Sequence, residues 1–202
     1  MHQALMDLDR FLFLQINTGW RNPGLDWFMP LVSDWKFTWL PLALIMMYCL
    51  WRRTSRTLWV LAGMLLVIGL GDALTTYAIK PFFIRPRPYA VLEHIYVHKG
   101  QWGLSEAVAP HLTMSFPSNH AVNSTAAAVL LIYFFPRWWP LPVVWVILVC
   151  YSRIYLGLHY PADVLGGLLF GLVCAGVFLG LERILVKKMP GRFKRLGKGA
   201  AW

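Results

Sequence analysis

Long apolar stretches alternate with short polar connections along most of the chain. Five of these stretches are long enough to be helices that enter or cross a bilayer, at residues 35–50, 57–79, 118–135, 138–155 and 161–186. A hydrocarbon core about 30 Å thick needs roughly 20 residues at about 1.5 Å rise per residue. The pattern predicts an all-α fold, a polytopic membrane helical bundle with five or six transmembrane helices. Four glycines of the last stretch are expected to allow close helix packing: Gly166, Gly167, Gly171 and Gly176.

The first 30 residues have a different pattern. Leu5, Leu8, Phe11 and Leu12 recur at helical spacing with polar residues between them, before a polar turn at 17–19. This segment is too short and too polar to span a bilayer, so an N-terminal amphipathic helix at the interface is predicted. A short sixth crossing here stays open. No basic residues precede the apolar run, which argues against a cleavable signal peptide.

The composition favours a membrane protein of one domain. Of the 202 residues, 58% are hydrophobic and 14% charged, and the mean hydropathy is +0.53, which is more apolar than a soluble domain usually is. A net charge of +10 could indicate nucleic acid as a partner, but the basic residues lie in short connections instead of along one surface. The expected partners are therefore membrane lipids and not nucleic acid. Cys49, Cys150 and Cys174 fall inside apolar stretches and are interpreted as packing residues.

Residues 152–163 place three charged or titratable side chains between two apolar stretches. These are Arg153, His159 and Asp163. Because charge at the edge of a membrane segment is costly, such residues are candidates for a functional site. His159 and Asp163 are four residues apart, so on one helical turn the carboxylate would lie beside the imidazole and hold its ring and tautomer. A histidine held in this way can act as a nucleophile or a base.

Two earlier segments add complementary groups. One supplies Lys80 and Arg87, and the other supplies Ser118, Asn119 and His120 at the start of an apolar helix. Cations and main-chain N–H groups at a helix start can neutralise the oxygens of a phosphate group, which carries about two negative charges near neutral pH. Together with the residues above, they predict a phosphate-cleaving site. The sequence has no HExxH motif, carboxylate cluster or cysteine ligand set, so no metal or other cofactor is expected.

Two further charged residues leave alternatives open. Asp72 lies inside the second apolar stretch, where it could pair with a cation of the site or hydrogen-bond to Thr75 or Thr76 at a helix contact. Arg85 lies close to Arg87 and could be an interfacial anchor or contact the catalytic residues from outside.

The distribution of the remaining basic residues predicts the orientation in the membrane. If Lys80, His120 and His159 lie on one side, most other basic residues lie on the opposite side: Arg52, Arg53, Arg56, Arg137, Lys187, Lys188, Arg192, Lys194, Arg195 and Lys198. By the positive-inside rule, the basic tail at 187–202 is cytoplasmic and the site faces outwards. Residues 89–117, which are polar and lack clear periodicity, are then expected to form an extracytoplasmic loop.

The three segments resemble the signature of the type 2 phosphatidic acid phosphatase superfamily, which comprises integral membrane lipid phosphatases. That signature is a lysine followed after six residues by Arg-Pro, then Pro-Ser-Gly-His, then Ser-Arg followed by five residues, a histidine, three residues and an aspartate. The chain has Lys80 to Pro88, Pro117 to His120, and Ser152 to Asp163 at the same spacing. It departs at one position, where Asn119 replaces the glycine.

The resemblance implies a two-step mechanism that needs no metal. His159 would attack phosphorus to form a phosphohistidine, Asp163 would orient it, and His120 would protonate the leaving lipid oxygen and then activate water. The phosphoryl oxygens would be held by a further set of residues: Lys80, Arg87, Ser118, Asn119 and Arg153. Asn119 would affect only the local backbone geometry, since asparagine tolerates left-handed φ better than most residues, and activity is expected to survive.

The resemblance also narrows the substrate. The compact bacterial members act on undecaprenyl diphosphate, phosphatidylglycerol phosphate or lipid A, and undecaprenyl diphosphate is the preferred expectation, in the bacterial inner membrane. Transfer of the phosphoryl group to a second lipid is an alternative to hydrolysis. A scaffold or transporter without catalysis is the alternative outside enzymes. Haloperoxidases that resemble the superfamily are soluble, and the apolar stretches argue against that activity.

Overall fold

Eight α-helices and one β-hairpin form the part of the chain that the structure, a computed structural model, describes: residues 2–52, 54–107 and 114–188. The helices are α1 (His2–Leu14), α2 (Pro23–Ser33), α3 (Trp35–Arg52), α4 (Ser55–Ala73), α5 (Pro88–Val91), α6 (Asn119–Phe134), α7 (Pro140–Tyr155) and α8 (Pro161–Lys188). Strands β1 (Glu93–His98) and β2 (Trp102–Glu106) pair antiparallel. A π-helical segment at Leu74–Ile79 and a 3-10 turn at Lys80–Phe82 continue α4.

Helix α6 is the centre of the bundle and packs against α4, α7 and α8. Its closest neighbour is α8, because glycine faces small side chains where the two helices meet. A Cβ atom on Gly167 would lie 2.7 Å from the Cβ of Ala121, and one on Gly171 would lie 2.6 Å from the carbonyl oxygen of Val122. Either contact would be a collision, so this approach of the helices requires glycine at both positions.

The other two glycines of α8 that were expected to allow close packing differ from each other. A Cβ atom on Gly166 would lie 2.4 Å from the ring of Phe116, so close packing is found there. Gly176 has no atom within 4 Å of the Cβ position, and the expectation is wrong for this residue because it faces outwards. Gly180 is equally open.

The outward faces of the long helices are apolar. On α8, Leu165, Leu169, Leu172 and Val177 are all at least half exposed and recur at helical spacing, as expected of a helix that faces lipid. The segments Thr57–Phe82 and Pro161–Lys188 are long and apolar enough to cross a membrane. Helices α6 and α7 have 16 residues each, fewer than the roughly 20 of a full crossing. Five or six crossings therefore remain a prediction.

The N-terminal segment forms two helices, α1 and α2, instead of one. The leucines of the predicted apolar face point away from the bundle, with Leu5 and Leu8 62% and 52% exposed. Asp9 and Phe13 of α1, four residues apart, are instead buried against the protein. An exposed apolar face on a helix at the edge of the bundle supports an interfacial position.

Residues 89–117 differ from the predicted irregular loop, because strands β1 and β2 form a hairpin within them. Val97 pairs with Gly103 and His98 with Trp102, and the turn between them contains Gly100 with φ of +88°, which glycine adopts readily. The alternation is short, with Ile95 buried between the exposed His94 and the half-buried Tyr96, so the sequence pattern does not indicate strands. Residues 108–113 lie outside the described part of the chain.

The hairpin is fixed to the end of α7. The side chain of Asn17 donates to the carbonyl oxygens of Tyr96 and Tyr155, both at 2.8 Å, and accepts from the Tyr96 N–H at 3.0 Å. The N–H of His98 donates to the carbonyl of Leu156 at 3.2 Å. Breaking these hydrogen bonds would leave buried polar groups of Asn17 unpaired, which is costly. The hairpin is therefore held firmly against the region that follows α7.

The contact between α6 and α8 leads to a prediction about stability. Gly171→Ala should lower the midpoint of thermal unfolding in detergent by roughly 2–10 °C, because the added methyl group must displace backbone of α6. Gly176→Ala, the same change on the same helix, is the control and should not lower the midpoint, since that position is open. Melting curves followed by circular dichroism would measure both. Equal midpoints for the two variants would contradict the packing described above.

Candidate active site

His159 lies in the short connection between α7 and α8. The connection turns at Gly157, which has φ of +75°, and the N–H of His159 donates to the carbonyl of Arg153 at 3.2 Å. Asp163 lies in the first turn of α8, which begins at Pro161. The expectation that His159 and Asp163 share one helical turn is therefore wrong. The turn and the helix start nevertheless bring the two side chains together, with His159 2% exposed and Asp163 fully buried.

The imidazole and the carboxylate are linked in part through a serine. His159 Nδ1 lies 3.8 Å from Asp163 Oδ2, which is too long for a hydrogen bond. The hydroxyl of Ser115 lies 3.4 Å from the same ring nitrogen and donates to the same carboxylate oxygen. The N–H of Tyr160 also donates to this oxygen, at 2.8 Å, as an acidic side chain in the first turn of a helix often accepts. Ser115 was missed in the sequence because it belongs to none of the three motifs.

Arg85 binds the other oxygen of Asp163. Its Nη1 donates to Asp163 Oδ1 at 2.8 Å, and its Nη2 donates to Asp9 of α1. Asp9 in turn accepts from the N–H of Ala162 at 2.8 Å, and the Arg85 guanidinium lies 4.2 Å from the ring centre of Tyr160. Of the two roles left open for Arg85, the structure shows the contact with a catalytic residue.

The electrostatics of this group keep Arg85 charged and His159 neutral. Burial alone would lower the pKa of Arg85, but the carboxylates of Asp163 and Asp9 outweigh it and raise that pKa. Burial lowers the pKa of His159 to about 4, with Asp163 opposing this effect and the charge of Arg153 reinforcing it. At neutral pH the His159 imidazole is therefore unprotonated, as a nucleophile must be.

Asp9 was also missed in the sequence. The hydrophobic pattern of residues 1–30 predicts an apolar face formed by the leucines, and these are exposed. The face that contacts the bundle is instead formed by Asp9 and Phe13. The spacing of four residues between them was the available signal.

Three of the predicted phosphate-binding residues have buried donors without a partner in the described part of the chain. These atoms are Arg87 Nε, Ser118 Oγ and Arg153 Nε. Arg153 and Ser118 are 7% and 0% exposed, and Arg153 also donates through Nη1 to Ser33. Because an unpaired buried donor is costly, these atoms suit an anionic ligand. The main-chain N–H of Ser118 is different, since it donates to the carbonyl of Asp163 at 3.0 Å.

Lys80 and His120 belong to the same charged group. The Lys80 ammonium interacts electrostatically with Arg87, Arg153 and Asp163, and His120 interacts with Arg153, His159, Arg87 and Lys80. The start of α6, which carries His120, is tied to the start of α8 by the hydrogen bond of Ser118. The structure thus brings both imidazoles to one end of the bundle, together with three cations.

Asn119 occupies the position of the signature glycine and has an ordinary helical backbone, at the first residue of α6. Its side chain donates to Asp72 Oδ1 at 2.8 Å and to Thr76 Oγ1 at 2.9 Å, and Asn123 donates to the same Asp72 oxygen at 3.2 Å. Asp72 also interacts electrostatically with Lys80. Both alternatives for Asp72 are therefore found in part, although its hydrogen-bond partners at the helix contact are asparagines instead of Thr75 or Thr76.

A cavity of about 760 Å³ begins at these residues and extends between α3, α4, α6 and α7. Its polar end is formed by Asp72, Asn119, His120 and Asn123, and the remainder is lined mostly by apolar residues such as Met64 and Leu131. A cavity with one polar end and a long apolar wall has the shape and chemistry to hold a lipid by its headgroup and chain.

Comparison with known proteins is consistent with this geometry. The family model described as the PAP2 superfamily matches residues 56–184, which contain all three motifs. The chain belongs to the PAP2 superfamily. The resemblance predicted from the motifs is thereby confirmed.

Named relatives in the PAP2 superfamily are lipid phosphatases. A lipid A 4'-phosphatase of Bacteroides thetaiotaomicron is 29% identical, over 99% of this chain and 88% of that protein. The undecaprenyl-diphosphatase BcrC of Bacillus subtilis is 28% identical, over 81% and 78%. The crystal structure of a transmembrane PAP2-type phosphatidylglycerolphosphate phosphatase from Bacillus subtilis matches with a TM-score of 0.63 and 26% identity, over 89% and 87%. The predicted enzyme class, a hydrolase of phosphoric esters, and the membrane setting are confirmed.

The bridge from Asp9 through Arg85 to Asp163 leads to a prediction about activity. Asp9→Asn removes one of the two carboxylates that hold Arg85, so Asp163 and His159 should be less well oriented, and the rate of phosphate release from a lipid phosphate should fall about tenfold. The matched control is Asp7→Asn on the exposed side of α1.

The effect of Asp9→Asn should appear in kcat with little change in KM, because Asp9 binds Arg85, which in turn binds Asp163, and Asp9 does not line the cavity. Initial rates over a range of substrate concentrations in mixed micelles would measure both constants. A wild-type kcat for Asp9→Asn would show that the bridge does not orient His159.

Proposed function

We propose that the protein hydrolyses a membrane lipid phosphate or diphosphate through a phosphohistidine intermediate, without a metal ion. The observation that carries the proposal is the position of a buried, neutral His159 beside Asp163 and Ser115, at the same end of the bundle as His120 and three cations. Within the described ranges, no three His, Cys, Asp or Glu side chains form a group that could hold a metal ion. The mechanism therefore assigns every step to side chains of the chain.

In the first step, His159 attacks the phosphorus atom of the lipid. Nδ1 faces Ser115 and Asp163, so Nε2 is the nitrogen that forms the new N–P bond. The bond from phosphorus to the leaving oxygen breaks, and His120 gives that oxygen a proton. Lys80, Arg87 and Arg153 hold the phosphoryl oxygens, whose charge they neutralise as the bonds change.

In the second step, water replaces the histidine. His120, now unprotonated, takes a proton from the water as it attacks phosphorus, the N–P bond breaks, and inorganic phosphate leaves. His120 thereby recovers the proton that it gave to the lipid, and His159 returns to its neutral state. Asp163 stabilises the positive charge that the His159 ring carries as the phosphohistidine forms.

The candidate substrates come from the superfamily and from the named relatives. The resemblance gives undecaprenyl diphosphate, phosphatidylglycerol phosphate and lipid A as candidates, and the named relatives are phosphatases of these same three lipids. All three present a phosphate at the membrane surface and an apolar chain, which suits the polar end and the apolar wall of the cavity. A panel of these lipids, with release of free phosphate compared with formation of a phosphorylated acceptor lipid, distinguishes both the substrate and hydrolysis from phosphotransfer.

The test of the proposed mechanism is the His159→Ala variant. Purified protein in detergent with EDTA should release phosphate from at least one lipid of the panel, and His159→Ala should lower the rate by a factor of roughly 10⁴ or more, since the nucleophile is lost. His98→Ala is the control, because His98 lies on β1 and packs on Trp102 away from the catalytic group. A His159→Ala variant that retained turnover would rule out the phosphohistidine.

We also propose an orientation in which the site faces the exterior of a bacterial inner membrane and the C-terminus is cytoplasmic, as the positive-inside rule favours. Lys99 lies in the hairpin turn on the side of the site, and Arg137 lies in the turn after α6, at the opposite end of the bundle.

This orientation predicts which positions a membrane-impermeant maleimide can reach in spheroplasts. Lys99→Cys should be labelled in intact spheroplasts, and Arg137→Cys only after they are permeabilised. The unsubstituted chain sets the background, since Cys150 and Cys174 are buried and half-buried. The reverse labelling pattern would place the site in the cytoplasm.

A further inference from the structure

Four polar side chains form a cluster at the end of the cavity that contains His120. Asp72 lies in the last turn of α4 and Thr76 in the π-helical segment after it, while Asn119 and Asn123 lie one turn apart on α6. None of them except Asn119 belongs to the superfamily signature, and at that position the signature has a glycine, which has no side chain. The motifs therefore do not account for the cluster.

Asp72 and Thr76 accept the hydrogen bonds within the cluster, and the two amide oxygens are left over. Both asparagine amides donate to the same oxygen of Asp72, Oδ1, at 2.8 and 3.2 Å. The side-chain oxygens of Asn119 and Asn123 are buried and have no partner among the residues described. The hydrogen bonds found at Asp72 do not involve Oδ2. The two buried amide oxygens are thus unused and call for a donor. Asp72 is exposed, and its Oδ2 is a further acceptor.

The position of the cluster identifies which part of a lipid it would meet. Asp72, Asn119 and Asn123 line the same cavity as His120. In the proposed mechanism His120 protonates the leaving oxygen, so groups that share the cavity with it lie beside the leaving alcohol. His159, Arg87 and Arg153, which do not line this cavity, lie on the side of the phosphoryl group.

We propose that the cluster of Asp72, Thr76, Asn119 and Asn123 recognises hydrogen-bond donors on the leaving alcohol of the substrate. The preferred substrate is then a lipid phosphate monoester whose alcohol carries a free hydroxyl close to the ester oxygen, as glycerol and glucosamine headgroups do. This inference rests on the proposed function and narrows its substrate class.

The same cluster disfavours substrates whose leaving group has only acceptors. The terminal phosphate of a polyprenyl diphosphate leaves from a second phosphate, which is negatively charged and would face the Asp72 carboxylate and two amide oxygens. Phosphatidic acid leaves as diacylglycerol, whose ester oxygens beside the phosphate are acceptors as well. When acceptors of the substrate face acceptors of the cluster, they repel each other and form no hydrogen bonds. Both effects disfavour these substrates.

The test compares pairs of substrates that differ by one hydroxyl group. The first pair is dioleoyl phosphatidylglycerol phosphate and its analogue without the free hydroxyl of the second glycerol. The second pair is an acylated glucosamine 4-phosphate and its 6-deoxy analogue. The wild-type protein should release phosphate from the hydroxyl-bearing member of at least one pair with a kcat/KM about tenfold higher or more, since a lost buried hydrogen bond is worth about one power of ten. The pair that shows the ratio identifies the glycerol or the sugar as the source.

Variants of the cluster test whether it causes the ratio of kcat/KM between the two members of a pair. Asn123→Ala should reduce it to within about twofold of one, because an acceptor is removed. Ser124→Ala is the control: Ser124 is the next residue and lines the same cavity, but its hydroxyl already donates to the carbonyl of His120 at 2.7 Å. The ratio should be unchanged in this variant. If Asn123→Ala does not fold, Asp72→Asn keeps an acceptor for both asparagines while it removes the charge, and it should also lower the ratio.

Three results have distinct meanings. A wild-type ratio near one for both pairs, with phosphate still released and His159→Ala still inactive, would overturn this inference and leave the proposed function intact. A ratio that persists in Asn123→Ala, together with a lower melting temperature, would show that the cluster only holds α4 against α6 and would also overturn it. If no substrate released phosphate, the proposed function itself would fail.

Discussion

Burying the carboxylate of Asp163 without water requires that both of its oxygens be bound, and this requirement organises the site. One oxygen accepts from Arg85, and the other accepts from Ser115 and from the N–H of Tyr160. These partners come from the segment after α4, the segment before α6 and the connection after α7. Since an unpaired buried charge is far more costly than a paired one, the three segments must meet for the chain to fold, and their meeting orients His159.

The packing of α6 against α8 sets the distance between the two histidine motifs. Glycines at 167 and 171 allow the helices to approach until the Ser118 N–H reaches the carbonyl of Asp163. His120 follows Ser118 by two residues, and His159 precedes α8 by two. Close helix packing, which in a membrane depends on small residues instead of a hydrophobic driving force, is therefore also what positions His120 and His159, the proposed acid and nucleophile.

The sequence predicted the residues of the site better than their geometry. Motif spacing identified His159 and Asp163, and apolar stretches located the long helices, because both signals are local. It did not indicate that His159 lies outside a helix, since the turn depends on Gly157 and on the hairpin, which bonds to Leu156 directly and to Tyr155 through Asn17. Ser115 and Asp9 were missed because they reach Asp163 and Arg85 across more than 40 residues, and a contact over that distance leaves no periodic pattern.

The three arginines near the site divide into two groups, and the division supports different roles for Arg85 and for its neighbour Arg87. Arg85 forms ion pairs with both Asp9 and Asp163, so its charge is already balanced within the protein. No ion pair is found for Arg87 or Arg153 in the described part of the chain, and each has a buried Nε without a partner. The positive charges of Arg87 and Arg153 repel each other when no carboxylate pairs with them. A bound anion would remove this repulsion and so stabilise their arrangement. A phosphate dianion would supply the missing charge. In the proposed mechanism, phosphate binding and the orientation of His159 thus depend on separate sets of arginines.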